Sequence, residues 1–158
     1  MKRILLMVLV AATLGLTASS CRKERTVFLE SSGTRVAEVS VKFNDWVNYN
    51  TNDGLNYVYC PVEWDILTQH VVYDGNVNVY LYEGDRQTPL PYVYPIEVLY
   101  DDGTTGFVGE NLYYTVETGQ IILKMQDLDG YKPIVDPNTP TMTFRIVATA
   151  PIDYAINQ

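Results

Sequence analysis

The chain has 158 residues, 47% of them hydrophobic, with 19 acidic and 11 basic side chains, one histidine and a formal charge of −8. That length suits one domain with its own core, and the 12% aromatic content excludes an intrinsically disordered chain. The acidic balance argues against a nucleic-acid partner, because phosphate binding releases counterions through clustered Lys and Arg, and no such cluster is present.

Lys2 and Arg3 form a basic head, Ile4 to Leu16 is an uncharged run of 13 residues, and small residues lead to Cys21. A membrane-spanning helix needs about 20 apolar residues, so this layout predicts a secretory signal over 1–20 and not a span. Ala18-Ser19-Ser20-Cys21 resembles a bacterial lipobox, in which the cysteine thiol takes a diacylglyceryl group and becomes the new N-terminus. Ala18 stands where leucine is usual, a looser pattern found in lipoproteins of Bacteroidetes-type bacteria; cleavage without lipid is the alternative. Removing 1–20 takes away two basic residues, leaving 9 against 19 acidic ones and a net −10. Arg22, Lys23 and Arg25 follow the attachment point, where they can meet anionic headgroups while the acidic body is held off the membrane. The predicted location is the bacterial outer membrane, lipid-anchored at Cys21 and facing the periplasm, with the cell surface as the alternative. Residues 21–35 are expected to be tether and 36–158 the folded domain. With Cys21 acylated, Cys60 is expected to be a lone buried thiol with no intrachain disulfide.

Period-two alternation recurs along the body and predicts an all-β fold. Expected strands are Val39 to Trp46, one from about Tyr57 that ends near Pro61, Val77 to Tyr82, Ile96 to Tyr100, Asn111 to Val116, Gln120 to Met125 and Thr141 to Thr149. Asn48 to Gly54 reads as a turn, as do Gly84-Asp85, Asp102-Gly103, Thr118-Gly119 and Asp129-Gly130. Pro89, Pro91 and Pro95 confine Gln87 to Tyr94 to a sheet edge or an extended crossing. One short helix or helical turn is expected within Glu63 to Tyr73, with Trp64, Leu67 and Val71 on its inner face and Gly75 as its stop. The predicted architecture is an antiparallel β-sandwich of about seven or eight strands, immunoglobulin- or fibronectin-like in outline, with a barrel as the alternative.

The string Trp46, Tyr59-Cys60-Pro61, Tyr73 to Leu81, Pro89-Leu90-Pro91-Tyr92 and Thr143 to Ala148 resembles, in its order, small uncharacterised lipoproteins of Bacteroides-type bacteria. The resemblance implies a β-sandwich on a lipid tether and brings no catalytic residues with it.

No residue set predicts catalysis, a metal site or a cofactor. His70 is the only histidine, the mature serines are Ser31, Ser32 and Ser40, and no GxSxG elbow exists. A triad would need a tether-proximal serine at His70 with Asp74 orienting the ring. Glu63 and Asp65 could share a face, but 19 acidic residues make chance pairs common. Asp127-Leu128-Asp129-Gly130 lacks the spacing of a calcium loop and reads as a turn.

Tyrosine is the least ordinary feature, with 13 against four phenylalanines. Tyr57 with Tyr59, Tyr80 with Tyr82, and Tyr92 with Tyr94 share faces and form the candidate binding surface, for a glycan or an envelope protein. The plainer reading is a half-exposed sheet face on which cross-strand Tyr pairs contribute about 0.2 to 1 kcal/mol each. The function expected is a non-enzymatic binding or structural module; the alternative is a small carboxylate-dependent polysaccharide hydrolase.

Overall fold

The computed structural model describes residues 26–29, 33–50, 56–129, 133 and 135–151. The signal segment, Cys21 and the basic residues after it lie outside the described residues. The strands are β1 (Thr26–Leu29), β2 (Thr34–Val41), β3 (Val47–Asn50), β4 (Asn56–Glu63), β5 (Asn76–Glu83), β6 (Arg86–Pro89), β7 (Tyr92–Leu99), β8 (Thr105–Glu117), β9 (Gln120–Asp127) and β10 (Met142–Thr149); the helix is α1 (Gln69–Tyr73). They form two five-stranded sheets, β1-β2-β10-β5-β6 and β3-β4-β9-β8-β7, antiparallel throughout. The architecture is the all-β sandwich expected of the alternation.

Val39 and Val41, Val58, Cys60 and Val62, Val79 and Leu81, Ile121, Leu123 and Met125, and Phe144 and Ile146 are all buried, each set at every second position of its strand. The rings of Trp46 and Phe144 meet edge to face at 6.5 Å. Truncating a buried phenylalanine of this kind costs about 3–5 kcal/mol. Tyr114 on β8 crosses the sandwich, and its hydroxyl donates to the Val77 carbonyl on β5 at 3.1 Å.

Ten strands exceed the expected number for two reasons. Thr26–Leu29 pairs with β2, so part of the stretch assigned to tether belongs to the sheet, and β2 itself begins at Thr34. Asn48 to Asn50, read as part of a turn, belong with Val47 to an edge strand on β4. Its asparagines obscured the alternation, and an edge tolerates them. Val39 to Trp46 is not one strand: β2 ends at Val41, and Phe43–Asp45 forms a 3-10 turn held by the Lys42 N–H on the Asp45 carboxylate at 2.8 Å. β4 also runs through Pro61 to Glu63 instead of stopping there. Past Tyr59, where pairing with β3 ends, β4 has a neighbour on one side only, so the missing N–H breaks no central ladder.

The helix is shorter than Glu63 to Tyr73. Trp64 to Leu67 is instead a turn pinned by the β8–β9 hairpin, through Trp64 N–H to the Gly119 carbonyl and Gly119 N–H to the Leu67 carbonyl, both 2.8 Å. Thr68 then caps α1. A Cβ on Gly75 would run into the Thr149 carbonyl oxygen, so close approach and not a positive φ reserves that position for glycine. The proline-rich segment is edge and crossing at once: β6 ends one sheet, β7 ends the other, and the chain passes between them through the cis Leu90–Pro91 peptide.

Tyr114→Phe is expected to destabilise the fold by about 1 kcal/mol, the net worth of one hydrogen bond across the sandwich. Urea unfolding with Tyr113→Phe as control, expected to change by under about 0.5 kcal/mol, measures it; equal effects at the two positions would contradict the role given to the Tyr114 hydroxyl.

Candidate functional site

Because Val58 and Cys60 face inward on β4, Tyr57 and Tyr59 face outward; because Leu123 and Met125 face inward on β9, Lys124 faces outward. The register does the rest. Tyr57 lies opposite Tyr49 on β3, and Tyr59 lies opposite Lys124, which in turn lies opposite Tyr113 on β8. The Tyr49 and Tyr57 rings stack at 4.6 Å, and Tyr59 meets each of them edge to face at 6.3 Å. The Lys124 ammonium sits 5.4 Å from the Tyr57 ring centre and 5.8 Å from that of Tyr113. Four phenols and one cation thus share a flat outer face, in cation–π geometry. Desolvation, followed by the nearby Tyr49 and Tyr59 phenols, raises the Tyr57 hydroxyl above its ordinary value. Desolvation and then Tyr57 do the same for Tyr113.

The six tyrosines singled out from the sequence do not converge. Tyr57 and Tyr59 belong to this face. Tyr80 and Tyr82 stand on the outer face of the other sheet, opposite Arg145 and Thr143 of β10. Tyr92 and Tyr94 turn inward and pack against the core, edge to face at 6.5 Å, while Val93 and Pro95 point out. Sequence could not settle the phase of β7, which carries apolar residues on both faces. Tyr49 went unread because it sits among asparagines, and Tyr113 because Tyr114 beside it competes for the same role.

The acidic residues divide differently. Glu63 and Asp65 are exposed beside the Gly119 turn and line a shallow depression. Glu110 and Asp127 are direct partners on β8 and β9 and are both buried, Glu110 completely. Tyr94 lies on the other side of Glu110, and Asp127 accepts the Asp129 N–H at 2.7 Å. The alternation Glu110, Leu112, Tyr114 was the available signal for this inward carboxyl. A buried carboxyl pair can share a proton, but glycoside hydrolysis needs both groups to reach a sugar, and neither lines the groove along β7 and the turn at Asp136.

His70 is exposed on α1, its Nδ1 3.2 Å from the Asp74 carboxylate. Asp74 therefore orients the ring as a triad acid would, but Ser40 lies on the outer face of the first sheet, sharing a hydrogen bond with Thr143 at 3.2 Å. Ser31 and Ser32 lie outside the described residues. Cys60 is fully buried, as expected of a small apolar side chain, yet it is disulfide-bonded and not a free thiol. The expectation of no disulfide is overturned at Cys60.

Tyr57, Tyr94, Tyr113 and Tyr114 all have hydroxyls raised by burial above 10.0. The unfolded chain ionises them first, so their contribution to stability is intact below that pH and is lost as pH rises through the folded-state values. The urea midpoint is expected to fall as pH rises past about 10, the ordinary phenol value, in step with phenolate absorbance. A midpoint that holds constant there would contradict the assignment.

No protein-family model, no curated protein and no solved structure matches the chain.

Proposed function

We propose that the chain is a lipid-anchored cell-envelope recognition module of the bacterial outer membrane, non-enzymatic, which presents the outer face of the second sheet to a glycan. The observation that carries this reading is the convergence of Tyr49, Tyr57, Tyr59 and Tyr113 around Lys124. Phenol rings offer flat apolar surface to the C–H face of a sugar, and their hydroxyls, with the ammonium, offer hydrogen bonds at the rim. β-strands fix those rings at little conformational cost, which favours binding by a preformed surface.

The test is a glycan array followed by titration of the strongest hit. Tyr57→Ala and Tyr59→Ala are each expected to weaken binding about five- to tenfold, the loss of roughly 1–1.4 kcal/mol of stacking. Tyr80→Ala, on the opposite face, should leave it unchanged. Equal losses at Tyr80 and Tyr57, or no glycan bound at all, would overturn the reading.

The tether rests on the basic head, the short apolar run and the small residues before Cys21, and on the resemblance to small Bacteroides-type lipoproteins. Envelope-extracted protein is expected to show a lipid mass on Cys21. A mature chain in which Cys21 carries no lipid mass would remove the anchor.

A further inference from the structure

The edge of β7 is built differently from the other sheet edges. β8 pairs with β9 only as far as Glu110 opposite Asp127, whereas β7 and β8 continue together to Leu99 opposite Thr105. The last part of this hairpin is therefore a two-stranded arm beyond the body of the sheet, and it carries Leu99 and Phe107 at 73% and 71% exposure.

Two hydrogen bonds fix which backbone groups this arm leaves open. Leu128 N–H donates to the Gly109 carbonyl at 3.1 Å, so Gly109 turns its backbone toward β9. Its partner on β7, Pro95, then turns its backbone away from β8. Beyond the far end of β7, Tyr100 N–H donates to the Thr104 carbonyl at 2.8 Å, which keeps Tyr100 in phase with Ile96 and Val98 on the β8 side. Antiparallel strands alternate these directions residue by residue. Glu97 and Leu99 therefore direct N–H and C=O to the free edge, and Pro95 directs its C=O there.

Alongside that edge runs a groove of about 520 Å³, walled on one side by every residue of β7 from Tyr94 to Leu99 and on the other by the turn from Asp136 to Pro140. Consecutive strand residues point alternately up and down, so a groove that touches six in succession follows the backbone edge and not one face. The opposite wall is tied down, with Asp136 accepting the Asn138 N–H at 2.8 Å and the Thr139 N–H at 3.1 Å. Glu97 and Asp136 bring two carboxylates to the groove, and no Lys or Arg lines it.

We propose that this groove receives an extended basic segment of another protein, which adds to β7 as a further antiparallel strand. Main-chain hydrogen bonds to Glu97 and Leu99 give the added strand its register, alternate apolar side chains cover Ile96 and Val98, and a Lys or Arg meets Glu97 and Asp136. A second copy of this chain is the disfavoured occupant: it carries the same net charge of −8 and would set carboxylate against carboxylate. Pro95 and Glu97 thus blunt the edge against self-pairing while leaving it open to a partner of opposite charge.

The test uses the purified full chain and a short capped peptide alternating valine and lysine. The peptide is expected to bind and to slow hydrogen exchange at the Glu97 and Leu99 amides. Leu99→Pro removes an edge amide without touching the β8 ladder, and Glu97→Lys reverses the charge; each should weaken binding about tenfold or more. A lysine–glycine peptide of equal charge should bind at least tenfold more weakly than the valine–lysine one. Binding that is equal for the two peptides, or unaltered by Leu99→Pro in a variant with unchanged circular dichroism, overturns the proposal. So does dimerisation of the chain that Leu99→Pro abolishes. Because the tyrosine face is not part of this edge, loss of glycan binding would leave the result intact.

Discussion

The register of β4 on β9 decides what the molecule shows to solvent. Val58 faces Met125, Cys60 faces Leu123, and Val62 faces Ile121, and these pairs fill the core. A slip of one residue would exchange the faces, placing Tyr57, Tyr59 and Lys124 inside and the aliphatic row in water. The ammonium of Lys124 makes that slip prohibitive, since a buried unpaired charge costs far more than a phenol. The tyrosine surface and the core are therefore two readings of one constraint, and neither can change without the other.

The chain changes sheet four times, between β2 and β3, β4 and β5, β6 and β7, and β9 and β10. The crossings bring sequence-distant strands together where β10 lies between β2 and β5 and where β4 lies on β9. Tyr114 then links the two layers with a side-chain hydrogen bond. Five of the eight pairings are hairpins between successive strands, while β10 on β2 and β5 and β4 on β9 close the sheets over long range, and the inward aliphatic rows with Trp46 edge to face on Phe144 join the two layers.

Period-two alternation made the sandwich legible, because β4, β5, β9 and β10 alternate cleanly between core and surface. It failed where both phases of a strand look alike. In β7, Tyr92, Tyr94, Ile96 and Val98 compete with Val93, Pro95 and Leu99, and only pairing of Tyr92 with Leu112 assigns the inner face. In β3, polar residues at a sheet edge mimic a turn, which hid Tyr49. Which tyrosines meet depends on cross-strand register, and register is set by partners far away in sequence: Tyr59, Lys124 and Tyr113 are neighbours only through β9.

Glu110 shows how the same rules produce an exception. Alternation from Leu112 forces its side chain inward, where a carboxyl is costly, and the register sets it against a second carboxyl, Asp127. Both lie where β9 ends and the β7–β8 arm begins, so the core gives way to polar groups as the third strand drops out. Burial at that boundary raises the Tyr94 hydroxyl, with Glu83 and Tyr92 adding to it, and the pairing of β7 with β8 sets Tyr94 opposite Glu110. The polar row Tyr94, Glu110 and Asp127 thus ends the apolar interior at the point from which the arm extends.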